Sequence, residues 1–349
     1  MPILHSARSS RPRAVRSILT AVVSSVAVIG LLSGCAATTD KAGAGNADVA
    51  TGGERFSTAD KATAALGTDA KPGMFPRTIT HAAGTTELKT KPKRVVVLDT
   101  GELDEVLALG VTPVGVPTTD GANPTPAYLA GKVKGIATVG KIQELNLEAI
   151  AALKPDLILG SQLRADKLYA QLSAIAPTVF SIRPGFPWKE NFLLASKALG
   201  DETKAVEILN EYADNAAALK QDITDKPTIS LLRFMPGKTR LYGNKSFIGV
   251  ILQDVGLPRP KDQDFDELAI EISPENVQQA DADRIYYSSY GAADATAESQ
   301  VLNGPVWPTL SAVKAGHATA VDDGTWFLGL GPIGAEQVLK DLRKLLVTK

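Results

Sequence analysis

The 349-residue chain has very few of the side chains that cross-link proteins or bind metal ions. It contains one cysteine and three histidines. A single cysteine excludes an internal disulfide, an iron–sulfur cluster and a cysteine-ligated structural zinc site. The histidines His5, His81 and His317 are widely separated. A zinc or manganese site built from several histidines and carboxylates is therefore not predicted.

Short catalytic signatures and basic runs are also missing. The sequence has no GxSxG nucleophile elbow, no Walker phosphate loop and no HExxH zinc motif, so an enzyme is not predicted. The glycines of GLGPIG at 329–334 have dinucleotide-binding spacing but lack a following strand and acidic partner. An envelope hydrolase is the enzymatic alternative. With 37 basic and 38 acidic residues and no basic stripe, nothing predicts a nucleic-acid partner.

The one long uncharged apolar stretch, Ser17 to Gly34, lies near the N-terminus. It follows a basic segment with four arginines, at positions 8, 11, 13 and 16. This pattern predicts a secretory signal peptide over residues 1–34, although its length alone leaves a permanent membrane anchor open. Removal of the four arginines would leave 33 basic against 38 acidic residues, a net charge of −5.

Cys35 directly follows Leu32-Ser33-Gly34, and this pattern resembles a bacterial lipobox. The resemblance implies cleavage before Cys35 and lipid attachment to its sulfur, at the outer face of the cytoplasmic membrane. Firm anchoring takes more than one acyl chain, since each buried methylene contributes ~0.8 kcal/mol. The alternative is an ordinary free or buried thiol. Residues 35–75, which are rich in small and polar side chains, are predicted to form a flexible tether.

Alternating strands and helices are predicted from residue 76 onward. The run VVVL within strand Arg94–Leu98 is typical of a parallel strand covered on both faces. GELDEVLALG then has helical spacing and VTPVGVP predicts the next strand, which completes a βαβ unit. The pattern gives a first α/β lobe over 76–188, a mainly helical linking segment over 189–225 with a break near Gly200, and a second α/β lobe over 226–349.

Two similar stretches occupy equivalent places in the two predicted lobes. They are LEAIAALKPDLILG at 147–160 and PENVQQADADRIYY at 274–287. In each, a glutamate opens a short helix that leads into a buried strand. One explanation is purely structural, because a helix N-terminus favours an acidic side chain. The alternative is a function shared by both lobes.

The predicted body resembles the substrate-binding lipoproteins of iron–siderophore importers. The resemblance is carried, in order, by PKRVVVLDTGELDEVLALGVTPVGV, LNLEAIAALKPDLILGS, LSAIAPTV, RLYGNKSFIGVILQDVGLPRP, EISPENVQQADADRIYY and VKAGHATAVDDGTW. It implies an α/β fold of two lobes with mainly parallel sheets, which are joined by a long rigid helix and enclose a ligand cleft.

The same resemblance implies a function. The chain would be a monomeric, extracytoplasmic component of an ABC importer that captures a ferric siderophore and delivers it to a membrane permease with its ATPase. Glu148 and Glu275 would be exposed acids, one on each lobe, that dock onto basic pockets of the permease. Contacts between arginine and carboxylate are directional, and charge complementarity sets encounter rate and register.

Ligand-binding residues are expected where strands end at the cleft. Segments at strand ends include Arg183, and the residues that we select from such segments are Thr100, Arg164, Trp188, Arg233, Arg240, Tyr242, Tyr290 and Trp326. Arginine forks suit the negatively charged oxygens of a ferric chelate, and aromatic rings suit its apolar remainder. Iron that arrives already chelated needs no protein ligand, so neither a metal site nor a cofactor is predicted. Each arginine could instead be an ordinary solvated side chain.

The sequence leaves three other interpretations of its function open. A haem carrier would need an axial ligand, which Tyr286, Tyr287 or Tyr290 could supply. A cobalamin carrier shares much of the family pattern. A merely structural envelope lipoprotein is the third, but it would not need a cleft with arginines on both sides.

Overall fold

The computed structural model describes residues 60–291 and 293–347, and all of them belong to one compact unit. The predicted signal peptide, Cys35 and most of the predicted tether lie outside the described residues. Within the described residues, no helix is long and apolar enough to span a membrane.

Strands and helices alternate along most of the described chain. The strands are β1 (Arg77–His81), β2 (Gly84–Leu88), β3 (Val95–Val97), β4 (Gly115–Thr118), β5 (Ala137–Lys141), β6 (Glu144–Leu145), β7 (Leu157–Ser161), β8 (Thr178–Ser181), β9 (Ile229–Met235), β10 (Lys238–Tyr242), β11 (Ala269–Ile272), β12 (Arg284–Ser289) and β13 (Ala318–Ala320).

The α-helices include both long connecting elements and single turns. They are α1 (Lys61–Ala64), α2 (Thr100–Ala108), α3 (Ala127–Ala130), α4 (Leu147–Ala152), α5 (Gln162–Ala165), α6 (Tyr169–Ile175), α7 (Trp188–Leu199), α8 (Glu202–Asp222), α9 (Phe247–Asp254), α10 (Glu298–Leu302), α11 (Ser311–Lys314), α12 (Asp323–Trp326) and α13 (Pro332–Leu346). Short 3₁₀ helices lie at Asp166–Leu168, Lys261–Gln263, Pro274–Ala280, Ala293–Ala295 and Trp307–Thr309.

The first lobe is built on a six-stranded sheet of order β6-β5-β4-β3-β7-β8. Its pairings are parallel except at the β5–β6 edge. All three residues of β3 are buried, as the apolar run predicted. The second lobe has a five-stranded sheet of order β11-β10-β9-β12-β13. There β9, β12 and β13 are parallel, whereas β10 pairs antiparallel with both β9 and β11. A tight turn after β9 reverses the chain into β10.

The two lobes are connected by the consecutive helices α7 and α8. Gly200 adopts a left-handed conformation (φ 72°) and ends α7, which places the break where the sequence predicted it. The Lys189 ammonium lies 2.7 Å from Asp254 of α9, and both side chains are buried. The hydroxyl of Tyr212 donates to the same carboxylate (2.8 Å). These contacts fix the linking helices to the second lobe, and one buried apolar cluster runs through both lobes and the link.

Residues 60–75, which the sequence assigned to the tether, lie against the linking helices. The backbone N–H of Asp60 donates to Glu190 (3.2 Å), and the Lys197 ammonium donates to the carbonyl of Leu66 (3.1 Å). Arg77, just beyond this segment, is buried and pairs with Glu202. The folded body therefore begins before the predicted boundary, and Leu66 and Phe75 of this segment also pack against the main apolar core.

Candidate functional site

A cavity of about 220 Å³ lies between the lobes, at the edge where the parallel strands end. Its lining residues are Gln143, Leu163, Arg164, Arg183, Pro184, Gly185, Arg233, Met235, Arg240, Tyr242, Ser246, Phe247, Ile248, Leu268, Tyr290, Trp326, Phe327, Leu328 and Leu330. Four of these are arginines, two from each lobe. Six of the eight predicted ligand-binding residues are among the nineteen.

The two arginines of the first lobe differ in their partners. Arg164 follows β7, and its Nε donates to the buried carboxylate of Asp99 (2.9 Å). Arg183 follows β8 and lies over the ring of Phe186, 5.2 Å from its centroid. Within the described residues, Arg183 has no ion-pair partner, and its buried Nε has no hydrogen-bond acceptor. Burial lowers the pKa of Arg183. Arg183 is therefore the cavity arginine best placed to receive an anionic group from outside the described chain.

Arg233 is the most constrained of the four arginines. Its Nε and Nη2 each donate to Asp323, at 2.6 Å, which makes a bidentate ion pair. Its Nη1 donates to the hydroxyl of Tyr242 (3.1 Å). The guanidinium lies over the ring of Tyr290, 4.7 Å from the centroid. The Tyr242 and Asp323 partners raise the pKa of Arg233 despite its burial, so the group is permanently charged.

Arg240 lies on β10 and is half-buried. Its Nη2 donates to Glu271 of β11 (2.9 Å), which also accepts from Lys238 (3.2 Å). Arg240 and Lys238 lower the pKa of Glu271 through their hydrogen bonds and positive charge. This shared carboxylate leaves part of the positive charge on the edge of the second sheet uncompensated.

Aromatic rings form the second-lobe wall of the cavity. Tyr242 packs edge-on against Phe327, with their centroids 4.8 Å apart. Trp326 borders the cavity but is 0% exposed, and it packs against Tyr286 while its indole N–H donates to Asp341 (3.2 Å). Tyr242, Tyr290 and Phe327 therefore present the ring surface, whereas Trp326 supports the wall from behind.

Two predicted ligand-binding residues lie away from the cavity, which corrects their sequence-based placement. Trp188 is 0% exposed and packs edge-on against Tyr212 and Phe247 in the core. It begins α7, whose inner face turns toward the second lobe. Thr100 is also buried, in the first turn of α2, where its N–H donates to Asp99 (2.7 Å). Both follow strands as predicted, but helix geometry points them inward.

Several cavity residues were not selected from the sequence. Arg183 was considered as a strand-end residue but was not selected. Its position just after β8 was the feature of the sequence that indicated a place at the cleft. Leu163 and Leu268 line the cavity from opposite lobes and are exposed, Leu163 by 62%. Exposed leucines at a polar site carry no distinctive sequence signal. Phe327 is the next residue after the predicted Trp326, at the end of the short helix α12. Neighbouring residues point in different directions there, so the ring of Phe327 faces the cavity and that of Trp326 does not.

Glu148 and Glu275 have equivalent environments in the two lobes. Both are exposed, in the first turn of α4 and of the 3₁₀ helix Pro274–Ala280 respectively. Each helix leads to a strand that pairs parallel with the first strand of its own sheet, β7 beside β3 and β12 beside β9. Backbone hydrogen bonding lowers the pKa of Glu275. The structure therefore gives each lobe one outward-facing acid at the same topological position.

The described residues contain no group of three or more histidine, cysteine, aspartate or glutamate side chains arranged to hold a metal ion. His81 is buried, and burial lowers its pKa to about 4; the ring contacts Thr86 and Tyr169. His317 contacts Arg284 and the carbonyl of Asp283 at the opposite end of β12 from the cavity.

Comparison with known proteins identifies the family to which this two-lobed chain belongs. The profile of the periplasmic binding protein family matches residues 95–323. The chain belongs to this family. "Probable siderophore-binding lipoprotein YfiY" of Bacillus subtilis is 37% identical over 280 residues, which cover 76% of this chain and 86% of the relative. "Fe(3+)-citrate-binding protein YfmC" of the same organism is 31% identical over 78% of this chain and 87% of the relative.

A solved structure has the same fold. Staphylococcus aureus SirA, complexed with staphyloferrin B, superimposes with a TM-score of 0.70 and is 36% identical. The match covers 77% of this chain and 98% of SirA. The predicted family and the two-lobed α/β fold are thus confirmed. This periplasmic binding protein carries its arginine-lined cavity between the lobes.

Proposed function

We propose that this periplasmic binding protein is the extracytoplasmic component of an ABC importer that captures a ferric siderophore between its lobes. The observation that carries the proposal is the convergence of four arginines on one cavity, with Arg183 lacking an ion-pair partner in the described chain. Negatively charged chelate oxygens would satisfy these guanidinium groups. The relatives named for siderophore and ferric citrate binding support the same ligand class.

The remaining residue assignments follow from this proposal. Arg164, Arg183, Arg233 and Arg240 would contact the chelate oxygens, and Tyr242, Tyr290 and Phe327 its apolar parts. Iron would enter already chelated, so the protein would supply neither a metal ligand nor a cofactor. As a binding protein, the chain would catalyse no reaction.

Delivery requires a membrane partner and a membrane location. We assign permease docking to Glu148 and Glu275, because two exposed acids at equivalent positions fit a permease with two equivalent subunits. Lipid attached to Cys35 would hold a monomer at the outer face of the cytoplasmic membrane. The relative named as a lipoprotein supports this location.

Ligand titration of the purified full-length protein, in detergent, tests the proposal. The panel contains ferric staphyloferrin B, ferric citrate, ferrioxamine B, ferric enterobactin, haem and cobalamin, each followed by tryptophan fluorescence. Saturable quenching by a ferric siderophore, which its iron-free form does not produce, is the expected result. Saturation by haem or cobalamin alone, or by no member of the panel, would overturn the siderophore assignment.

A further inference from the structure

A second cavity, of about 210 Å³, lies beside the arginine-lined one. Residues of both lobes line it. The first lobe contributes Gly121, Ala122, Asn123 and Pro126, and the second contributes Ser289, Val321, Asp322, Asp323, Gly324 and Leu328. Leu328 borders both cavities, so the two are neighbours within one cleft.

An ion pair and a tyrosine ring form the partition between the two cavities. Arg233 lines the first cavity and Asp323 lines the second, and their side chains meet at 2.6 Å. The ring of Tyr290 covers the Arg233 guanidinium and extends to the first lobe. A Cβ atom added to Gly121 would lie 3.2 Å from that ring, which shows how closely the lobes approach there.

The two cavities carry opposite charge. The first has four arginines, whereas the described lining of the second has two aspartates and no basic side chain. Asp323 is occupied by Arg233 and by the Ser288 hydroxyl (2.8 Å). Asp322 uses Oδ1 to accept from the N–H (2.7 Å) and hydroxyl (2.6 Å) of Thr325. Its Oδ2 accepts no hydrogen bond from the described part of the chain, and the residue is exposed.

We propose that the second cavity binds a positively charged, amine-bearing arm of the ligand whose iron chelate occupies the arginine-lined cavity. This inference rests on the proposed function. An ammonium group in the second cavity would meet the unoccupied oxygen of Asp322, while the anionic chelate would meet the arginines. Adjacent cavities of opposite charge select for an asymmetric ligand, because a symmetric anion would place charge of the wrong sign beside Asp322.

Charge variants of Asp322 test the inference. The probe is the ferric siderophore from the panel that binds the wild-type protein most tightly, together with its N-acetylated derivative if it carries a free amine. Asp322→Asn keeps the helix cap at Thr325 and is expected to weaken binding about threefold, whereas Asp322→Lys should weaken it about tenfold or more. N-acetylation should weaken binding to the wild type but not to Asp322→Asn.

Asp262→Lys is the matched control, since Asp262 is also exposed on the second lobe and the variant changes net charge equally. It should bind like the wild type. Unchanged or tighter binding by Asp322→Lys, or a tightest ligand without an amine, would overturn the inference while leaving siderophore capture intact. If no siderophore binds the wild type, the proposed function fails and this inference fails with it.

Discussion

The carboxylate of Asp104, in the first lobe, accepts a hydrogen bond from the backbone N–H of Gly334, 230 positions later (2.8 Å). Its other oxygen accepts from the N–H of Ile333 (2.8 Å). Tyr128, from the first lobe, donates its hydroxyl to the oxygen that also accepts from Gly334 (2.7 Å). A first-lobe acid therefore caps the C-terminal helix α13, which is the last element of the second lobe. The lobes are thus connected twice, through the linking helices and through this cap.

Replacing Asp104 with alanine should destabilise the whole body. The change leaves one buried and one part-buried N–H group at the start of α13 without acceptors, which costs about 2–4 kcal/mol in free energy of unfolding. Tyr128→Phe removes one donor to the same carboxylate and should cost about 1 kcal/mol. Urea unfolding of both variants measures the difference. Equal stability of Asp104→Ala and wild type would show that the cap does not hold the lobes together.

Glu102 should make stability fall as the pH rises. Burial, and then the neighbouring Asp99, raise the pKa of Glu102 from 4.5 to about 8. The folded protein therefore keeps a proton that the unfolded chain releases, so this stabilising contribution is full below pH 4.5 and lost as the pH rises through 8. Glu102→Gln should match the wild type near pH 4.5 and exceed its free energy of unfolding at pH 8.5.

The control for the pH experiment is Glu207→Gln, on the exposed face of α8. Its difference from the wild type should not change across the same pH range. A Glu102→Gln variant that becomes less stable than the wild type at pH 8.5 would contradict the assigned direction of the pKa shift.

Alanine variants of Arg183 and Arg233 should differ in their effects on siderophore affinity and on protein stability. Arg183→Ala removes a guanidinium without an ion-pair partner in the described chain, so siderophore affinity should fall about tenfold or more with little change in melting temperature. Arg233→Ala also strands the carboxylate of Asp323, and should cost about 2–4 kcal/mol in stability as well as affinity. Parallel titrations and thermal melts distinguish the two. Normal binding by Arg183→Ala would remove it from the site.

Reversing the charge of Glu148 and Glu275 together should abolish siderophore uptake while leaving binding in solution unchanged. Both acids are exposed and lie outside the cavity lining, so the ligand contacts remain intact. Uptake of iron-55 siderophore by cells that express Glu148→Arg/Glu275→Arg measures the effect. Glu207→Arg/Glu211→Arg, with the same charge change on the exposed face of α8, should transport normally. Transport by the first variant, or loss of binding, would contradict the docking assignment.

Much of the lobe architecture could be predicted from local sequence. The buried run Val95–Val97, the helix Thr100–Ala108 and the break at Gly200 lie where apolar spacing and glycine indicated. Strand β11 and the pair β5–β6 were not predicted. Their strands are short, and only one of their residues is buried, so they show little apolar periodicity.

The sequence by itself determined the two α/β lobes, the helical link and the strand ends near which Arg164 and Arg233 would meet, whereas Arg240 lies within the antiparallel strand β10. These features follow from chain-local apolar periodicity and from the rule that parallel strands end at one edge of a sheet. Only the tertiary structure decided which side chains face the cleft. Trp188 lies in the core, and Arg183 has no ion-pair partner in the described chain. Asp104 accepts a hydrogen bond from the distant Gly334. Such contacts depend on packing between elements far apart in sequence, where a rotation of one residue along a helix moves a side chain from cavity to core.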